Sequence, residues 1–518
     1  MSINKFATGI LAVAIGGNML AHQHKSSQPD WPMWGGTVDR NMVGHATGLP
    51  VDVEPGDFKR GTDEIDLFTT KNVHWVAKLG SQAYGNPTVG GGKVFVGTNN
   101  ESPRDGNQLG DRGVLMAFNQ ETGGFEWQLL IPKLGAGKVS DWEYVGLCSS
   151  PVIEDGKVYV VTNRGEAVCL DIDGLADGND GPFTDEANYM SADGDPVEMT
   201  DQHADILWIY DMREELGVFP HNVSSCSPLI VDDILYVATS NGVDWSHNNI
   251  PAPFSPALVA LSKTDGSLLG EEASQVSESV LHASWSSPAY GEIKGKPLII
   301  WGGGDGFCYA YEPKPAIGPD GYEILKEVWR YDSNPPEYRT KDGKPIKYAT
   351  YPGPSEVIST VVVQDDKAFV LIGQDPEHGD GVGMLSAVDA SLEGDISGKA
   401  VWTYKDIGRT VSTPSIYNGM IFAAEYDGDI HCLDASTGEV HWVHPTESRI
   451  WGSTLVADGK VFLPNEDGQL VVLEASKEKK LLNEIEFYTP IYSSPVVAGN
   501  VLFVATQTHL YALKKGSE

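Results

Sequence analysis

Apolar and polar positions alternate along most of this chain in short runs, separated by tight turns rich in glycine, asparagine and aspartate. The pattern is cleanest over residues 412–442. A Ser-Thr-Pro lead-in reaches Ile416 and Tyr417, and the turn Asn418-Gly419 opens an alternating run through Ile421 and Ala423. The turn Asp427-Gly428 opens a further run through Ile430, Cys432 and Leu433, and after Thr437-Gly438 a last short strand ends on Trp442. Alternation of period two sends successive side chains to opposite faces, the signature of a strand. Asn-Gly and Asp-Gly tolerate the positive φ that type I′ hairpin turns require. Four strands joined by three turns are predicted here, and one such meander cannot bury both of its faces without neighbours.

The neighbours are present as repeats. Aligned on the lead-in, the copies begin at Asn86-Pro87, Ser150-Pro151, Ser227-Pro228, Ser287-Pro288, Thr360-Val361, Thr413-Pro414, Ser453-Thr454 and Ser494-Pro495, which makes eight. The last three are spaced by 40 and 41 residues, the period of a four-stranded propeller blade. A closing tryptophan recurs as Trp127, Trp208, Trp329, Trp402 and Trp442, with Gly270 and the 484–486 region at its place in the third and seventh copies. The eighth copy stops at Leu513 without a fourth strand, while Val73-His74-Trp75 is a fourth strand lacking the first three. The expected fold is therefore all-β: an eight-bladed propeller of four-stranded antiparallel blades, its last blade completed by the N-terminal strand so that no sheet edge is left open. The predicted organisation is a signal peptide over 1–21, an extension over 22–71, the propeller over 72–513 and a tail over 514–518.

Charge narrows the partners. A formal charge of −36 in 518 residues repels phosphate backbones and anionic membrane surfaces, so nucleic acid is excluded as an expected partner. Residues 6–15 form an apolar run after Lys5, too short to span a bilayer. It reads as a Sec-type signal cut after Ala21, with no cysteine behind it for lipid attachment, and predicts a periplasmic or secreted protein without a transmembrane span. Of the five cysteines, Cys169, Cys308 and Cys432 fall on third strands as small buried hydrophobes. Cys148 and Cys226 end neighbouring inner strands, where either two buried thiols or one disulfide fits.

The phrase Asp434-Ala435-Ser436-Thr437-Gly438-Glu439-Val440-His441-Trp442, echoed over 119–127, resembles the tryptophan docking motif of the pyrroloquinoline quinone (PQQ) repeat. The opening Trp31-Pro32-Met33-Trp34 is similar to the start of many secreted PQQ-like repeat proteins, and its two tryptophans are expected to clasp the propeller. The resemblance spans about residues 72–513. It implies the propeller fold and leaves two functional classes open, quinoprotein dehydrogenases and propellers that hold no quinone, the outer-membrane assembly propellers among them. For the first class it implies a Ca²⁺ that polarises the quinone. The segment 239–245 would place Asn241 as a calcium ligand, and Glu166 would supply the carboxylate. Where the family has its catalytic aspartate, this chain reads Ser279-Val280-Leu281-His282, leaving His282 as the base, and the adjacent Cys-Cys pair of those enzymes is missing.

Residues just ahead of each inner strand should converge on the channel mouth. They are Gln82, Glu143, Tyr144, His221, His282, Glu356, Arg409, Arg449 and Tyr488, with Trp451 close by. Converging ionisable groups mark a binding site. Arg409 and Arg449 would either hold a planar anion or pair with Glu143 and Glu356. In the second copy, Asp171, Asp173, Asp177 and Asn179 offer hard oxygen ligands for Ca²⁺, or else a solvated acidic loop. The acid pairs Asp232-Asp233 and Asp365-Asp366 and the Asp458-Gly459 step occupy first hairpin turns and are structural. The 311–354 insertion, with several tyrosines, is expected to fold over one face. No phosphate-binding glycine loop, nucleophile elbow, zinc-protease helix or haem-attachment motif occurs. The sequence thus favours an exported binding or scaffold module for a small molecule, glycan or protein. A PQQ- and Ca²⁺-dependent dehydrogenase and a polysaccharide-binding propeller are the alternatives.

Overall fold

The computed structural model describes residues 30–378 and 381–517, so the signal-peptide reading lies outside the described residues. Eight antiparallel sheets of at least four strands stand around one axis, each with its first strand innermost. Blade 6 is the simplest: Ser415–Tyr417, Met420–Ala424, Asp429–Asp434 and Val440–Pro445 pair in sequence order. Blades 1 to 5 occupy 88–132, 152–211, 229–272, 289–332 and 362–404, and blades 7 and 8 occupy 455–486 and 496–513. Positive φ at both central residues marks the first hairpin turn of six blades, among them Asn418-Gly419 (48° and 73°) and Asp365-Asp366 (51° and 58°). These acid pairs are turn residues, as the sequence predicted.

Closure is as expected. Val73–Lys78 pairs with His509–Leu513, Trp75 opposite Ala512, and finishes blade 8. The closing tryptophans join successive blades, each docking its indole on a turn of the next one. Trp75 Nε1–H donates to Gln120 O, Trp127 to Ile172 O, Trp329 to Ala390 O, Trp402 to Ala435 O and Trp442 to Ser476 O. Only glycine fits beneath such a ring: a Cβ on Gly438 would sit 2.6 Å from Trp402. In blade 3, Gly270 faces Ala260 at the tryptophan position, and Pro315 from the following insertion packs there instead. In blade 7 that position is Asn483, one residue ahead of the predicted 484–486, and its amide donates to Val51 O of the N-terminal extension. Both gaps in the motif are therefore covered by another stretch of chain.

The hub is tied by the lead-in hydroxyls. The backbone N–H of Ser150 donates to Ser227 Oγ, that of Ser227 to Ser287 Oγ, Thr360 to Thr413 Oγ1, Thr413 to Ser453 Oγ and Ser453 to Ser494 Oγ. Asn86 links Ser494 to Ser150.

Below this ring the extension crosses the axis and meets the blades in order. Trp31 pairs with Val89, Pro32 O accepts from Ile153, Val38 O from Tyr290 and Asp39 O from Val363. Asn41 then bonds Ile416, Val43 bridges Val456, and Gly44 lies against Val497. Arg40, fully buried at the centre, donates to the carbonyls of Trp34, Ser227, Pro228 and Pro288. Inner strands are edge strands, and this segment satisfies polar backbone that would otherwise face the channel. The expected clasp is thus a floor that seals one end. Among the described residues no helix is long and apolar enough to cross a membrane.

Candidate functional site

Above the floor, a cavity of about 480 Å³ opens at the opposite end of the axis. Its base is Trp34 and the hydroxyl ring. Its walls are aromatic: Tyr84, Trp142, Trp285, Trp451 and Tyr492. Tyr84 and Tyr492 stack at 4.7 Å, and Trp451 stands edge-on to both. Two indoles are fixed from behind, Trp285 by donating to His221 O and Val223 O and Trp451 by donating to Glu466. The carboxylates that line the cavity are Glu143, Asp375 and Glu377.

The predicted mouth residues part company here. Gln82, Glu143, Tyr144 and Trp451 line the cavity, whereas Arg409 and Arg449 gather over the ring of Tyr426 (4.7 and 5.7 Å), with Asp427 3.8 Å from Arg409. Neither arginine lines the cavity, and Glu356, the partner in one of the two alternatives, accepts from Ala283 N and Tyr348 instead. Tyr488 has φ 62° and points to solvent. The five cysteines are free thiols; Cys148 lines the cavity, and burial pushes its pKa up to about 12.

His221, His282 and Glu356 do converge, but beside the cavity rather than in it, and they meet residues that the sequence did not single out. His247 comes from the loop after the second strand of blade 3 and His378 from the corresponding loop of blade 5, which also carries Asp375. Ring centroids lie 4.3 Å apart for His221–His282, 4.5 Å for His247–His378, 4.8 Å for His282–His378 and 5.0 Å for His221–His247. The triads His221–His247–His282 and His282–Asp375–His378 each bring three ligand atoms within 4.8 Å of one another. Tyr348, from the 333–355 stretch, stacks on His282 at 5.5 Å and donates to Glu356 Oε1. Asp375 belongs to both cavity and cluster.

His221 and His282 are fully buried, and burial keeps them neutral, His221 at about 4 and His282 well below its ordinary value. Burial also lowers His247 and raises Glu356 well above the usual carboxylate range. Burial opposes the charge of Asp375, but the hydrogen bonds from His378 and from the Glu377 backbone N–H favour it, and its pKa is lowered.

His247 is held over the cluster by a tight loop. Asp244 accepts from the Ser246 backbone and hydroxyl and from the Asn249 amide, and His247 itself sits at φ 53°. Lys347 donates to Asn248, so the 333–355 stretch holds this loop as well. The 311–354 insertion thus divides. One part forms a hairpin on the outer edge of blade 3, and the other covers the histidines.

The residues implied for a quinone and its calcium do not fit that role. Asn241 Oδ1 accepts from Phe219 N while its amide donates to Ala252 O and Ser277 Oγ. Glu166 is engaged by Thr162, Arg164 and Tyr189. Neither lines the cavity. In blade 2, Asp171, Asp173 and Asp177 come together, with Lys93 3.0 Å from Asp173, and the Asn179 amide donates to Glu186.

Comparison with known proteins agrees with this architecture. The family profile described as "Outer membrane protein assembly factor BamB" matches residues 61–174 and 326–517, more than half of the chain. A curated protein of that name from Shewanella oneidensis is 25% identical over 79 residues, 15% of this chain and 20% of the relative, so the match spans a fifth of that relative's length. Among solved structures, BamB from Moraxella catarrhalis superposes with a TM-score of 0.53 at 12% identity, covering 85% of this chain and 99% of its own. A europium-containing methanol dehydrogenase gives 0.58 at 12% identity, covering 92% and 89%. At such identities the structural likeness concerns the fold alone.

Proposed function

Because the chain belongs to the family described as outer membrane protein assembly factor BamB, and because that fold hosts several activities, we propose a function from the site itself: an exported binding module that takes a small ligand into its axial cavity. The observation that carries this reading is the aromatic-walled cavity on the propeller axis, floored at one end and open at the other. Three tryptophans and two tyrosines offer flat apolar faces, and the hydroxyl ring at the base offers donors and acceptors. Glu143, Asp375 and Glu377 make the wall acidic, which favours a neutral or cationic ligand with a flat face, such as a sugar ring or a cationic aromatic, over an anion. This reverses the charge preference that Arg409 and Arg449 indicated from sequence.

The test is a tryptophan-fluorescence titration with neutral oligosaccharides, cationic aromatics and anionic aromatics. Trp142, Trp285 and Trp451 must report any occupant. Neutral or cationic compounds should change the emission saturably, and Trp451→Ala should weaken binding by about 1–3 kcal/mol, a 5- to 150-fold loss. Absence of a saturable response from all three classes contradicts the reading.

A second reading, a protein-assembly scaffold, is favoured by the exposed aromatics Trp245, Phe254, Tyr322 and Tyr351. It requires a protein partner whose capture is lost in Trp245→Ala/Phe254→Ala while the cavity titration is unchanged.

A further inference from the structure

We propose that His221, His247, His282 and His378, with Asp375 as the acidic member, form a site for one divalent transition-metal ion of the class that imidazole binds. This goes beyond the cavity reading and does not depend on it. Four of the chain's thirteen histidines arrive from four separate loops of three blades, and His282 is common to both triads of ligand atoms. Two blades supply the loop after their second strand, and two supply the lead-in to their first.

A structural histidine cluster would be expected to satisfy its ring nitrogens internally, since buried polar atoms in folded proteins are nearly all paired. This one does not. Both ring nitrogens of His282 are buried without a hydrogen-bond partner, the nearest acids being Asp375 Oδ2 at 3.4 Å and Glu356 Oε1 at 3.8 Å. His221 Nε2 is likewise buried and unpartnered.

The partners that do exist are of the kind that orients metal ligands. A carbonyl can only accept, so His221 Nδ1 must carry the proton it shares with Val243 O at 2.6 Å, which leaves Nε2 as a lone pair. His378 Nδ1 lies 3.2 Å from Asp375 Oδ2, and when it donates there its Nε2 is free to coordinate. Carbonyl or carboxylate behind the imidazole is the usual outer shell of a metal-bound histidine.

Nitrogen donors select zinc, copper, nickel or iron(II); calcium and magnesium prefer six or more oxygens. His247 and His378 are partly exposed, so the ion can enter from their side, and Tyr348 covers the buried side over His282.

The experiment uses the full untagged protein, stripped with EDTA and then offered Zn²⁺ or Co²⁺ with Ca²⁺ in excess. After gel filtration, elemental analysis should give one zinc per chain that calcium does not displace, and Co²⁺ should develop visible ligand-field bands. His247→Ala and His378→Ala lie on the accessible side and are the variants least able to disturb folding, which circular dichroism checks. Each should weaken binding more than about tenfold, while Arg449→Ala leaves it unchanged. Less than about 0.2 zinc per chain, displacement by calcium, or unaltered affinity in the His247→Ala/His378→Ala double variant overturns the proposal. Cavity titrations with organic ligands are read without metal, so either proposal can fail while the other stands.

Discussion

Blades 6–8 and blades 3–5 share one frame and bury very different chemistry. In both groups the lead-in hydroxyls tie the hub, and the strands pair in the same order. In blades 6 and 7 the second and third strands are joined by the short turns at Asp427-Gly428 and Asp467-Gly468. No carboxylate is fully buried in blades 6–8 among the described residues. Blades 3–5 and their connections bury Glu272, Asp305, Glu356 and Asp375, together with His221 and His282. The lesson is a division of labour. The repeat supplies rigid positions, Glu272 on a fourth strand and Asp305 in a four-residue turn among them, and the longer connections of these blades add Glu356 and Asp375 at a further cost to stability.

That division can be broken first in the frame. Trp329 is fully buried and docks on Ala390 O, so Trp329→Ala should cost about 3–5 kcal/mol in chemical denaturation, the largest loss expected here.

Next comes pH. Burial raises Glu272 from 4.5 to about 7 and Asp305 from 3.8 to about 6. Between the unfolded and folded values the folded chain keeps protons that the unfolded chain has released, so stability falls as pH rises from about 4.5 to about 7. Glu272 accounts for on the order of 3 kcal/mol of the change, and Glu272→Gln should remove that share in melting curves across the range while the share of Asp305 remains.

Arg40→Met leaves four buried carbonyls at the floor without their donor and should cost roughly 2 kcal/mol, with weaker retention of any cavity ligand.

Smallest and opposite in sign is His282→Leu. It removes two unpartnered buried nitrogens, so the metal-free protein should gain about 1 kcal/mol while zinc binding disappears. A loss of stability there would erase the contrast between the two groups of blades.

What the sequence made legible follows the same line. Blade number, hairpin turns, docking tryptophans and ring closure depend on local alternation and fixed offsets, and the fold keeps them from Asn418-Gly419 to the pairing of Trp75 with Ala512. His221 and His282 are legible because they sit within five to eight residues ahead of an aligned lead-in. His247, His378 and Asp375 follow the second strand in loops of unequal length, where no offset can be aligned. A search for histidines in those two loops was the signal available.

The offset rule also misjudged direction. Tyr488 takes a positive φ and turns outward, and Arg449 is drawn to Tyr426. The crossing of residues 31–44 was only half visible: the tryptophans marked the clasp, but the contacts of Arg40, Asn41 and Gly44 are with blades hundreds of residues away.

Anomalous diffraction at the zinc absorption edge from crystals of zinc-loaded protein would locate an ion held by the four histidines. One strong peak is expected among His221, His247, His282 and His378, within bonding distance of their ring nitrogens. A map without that peak, or with its main peak at Asp171, Asp173 and Asp177 of blade 2, would contradict the proposed site.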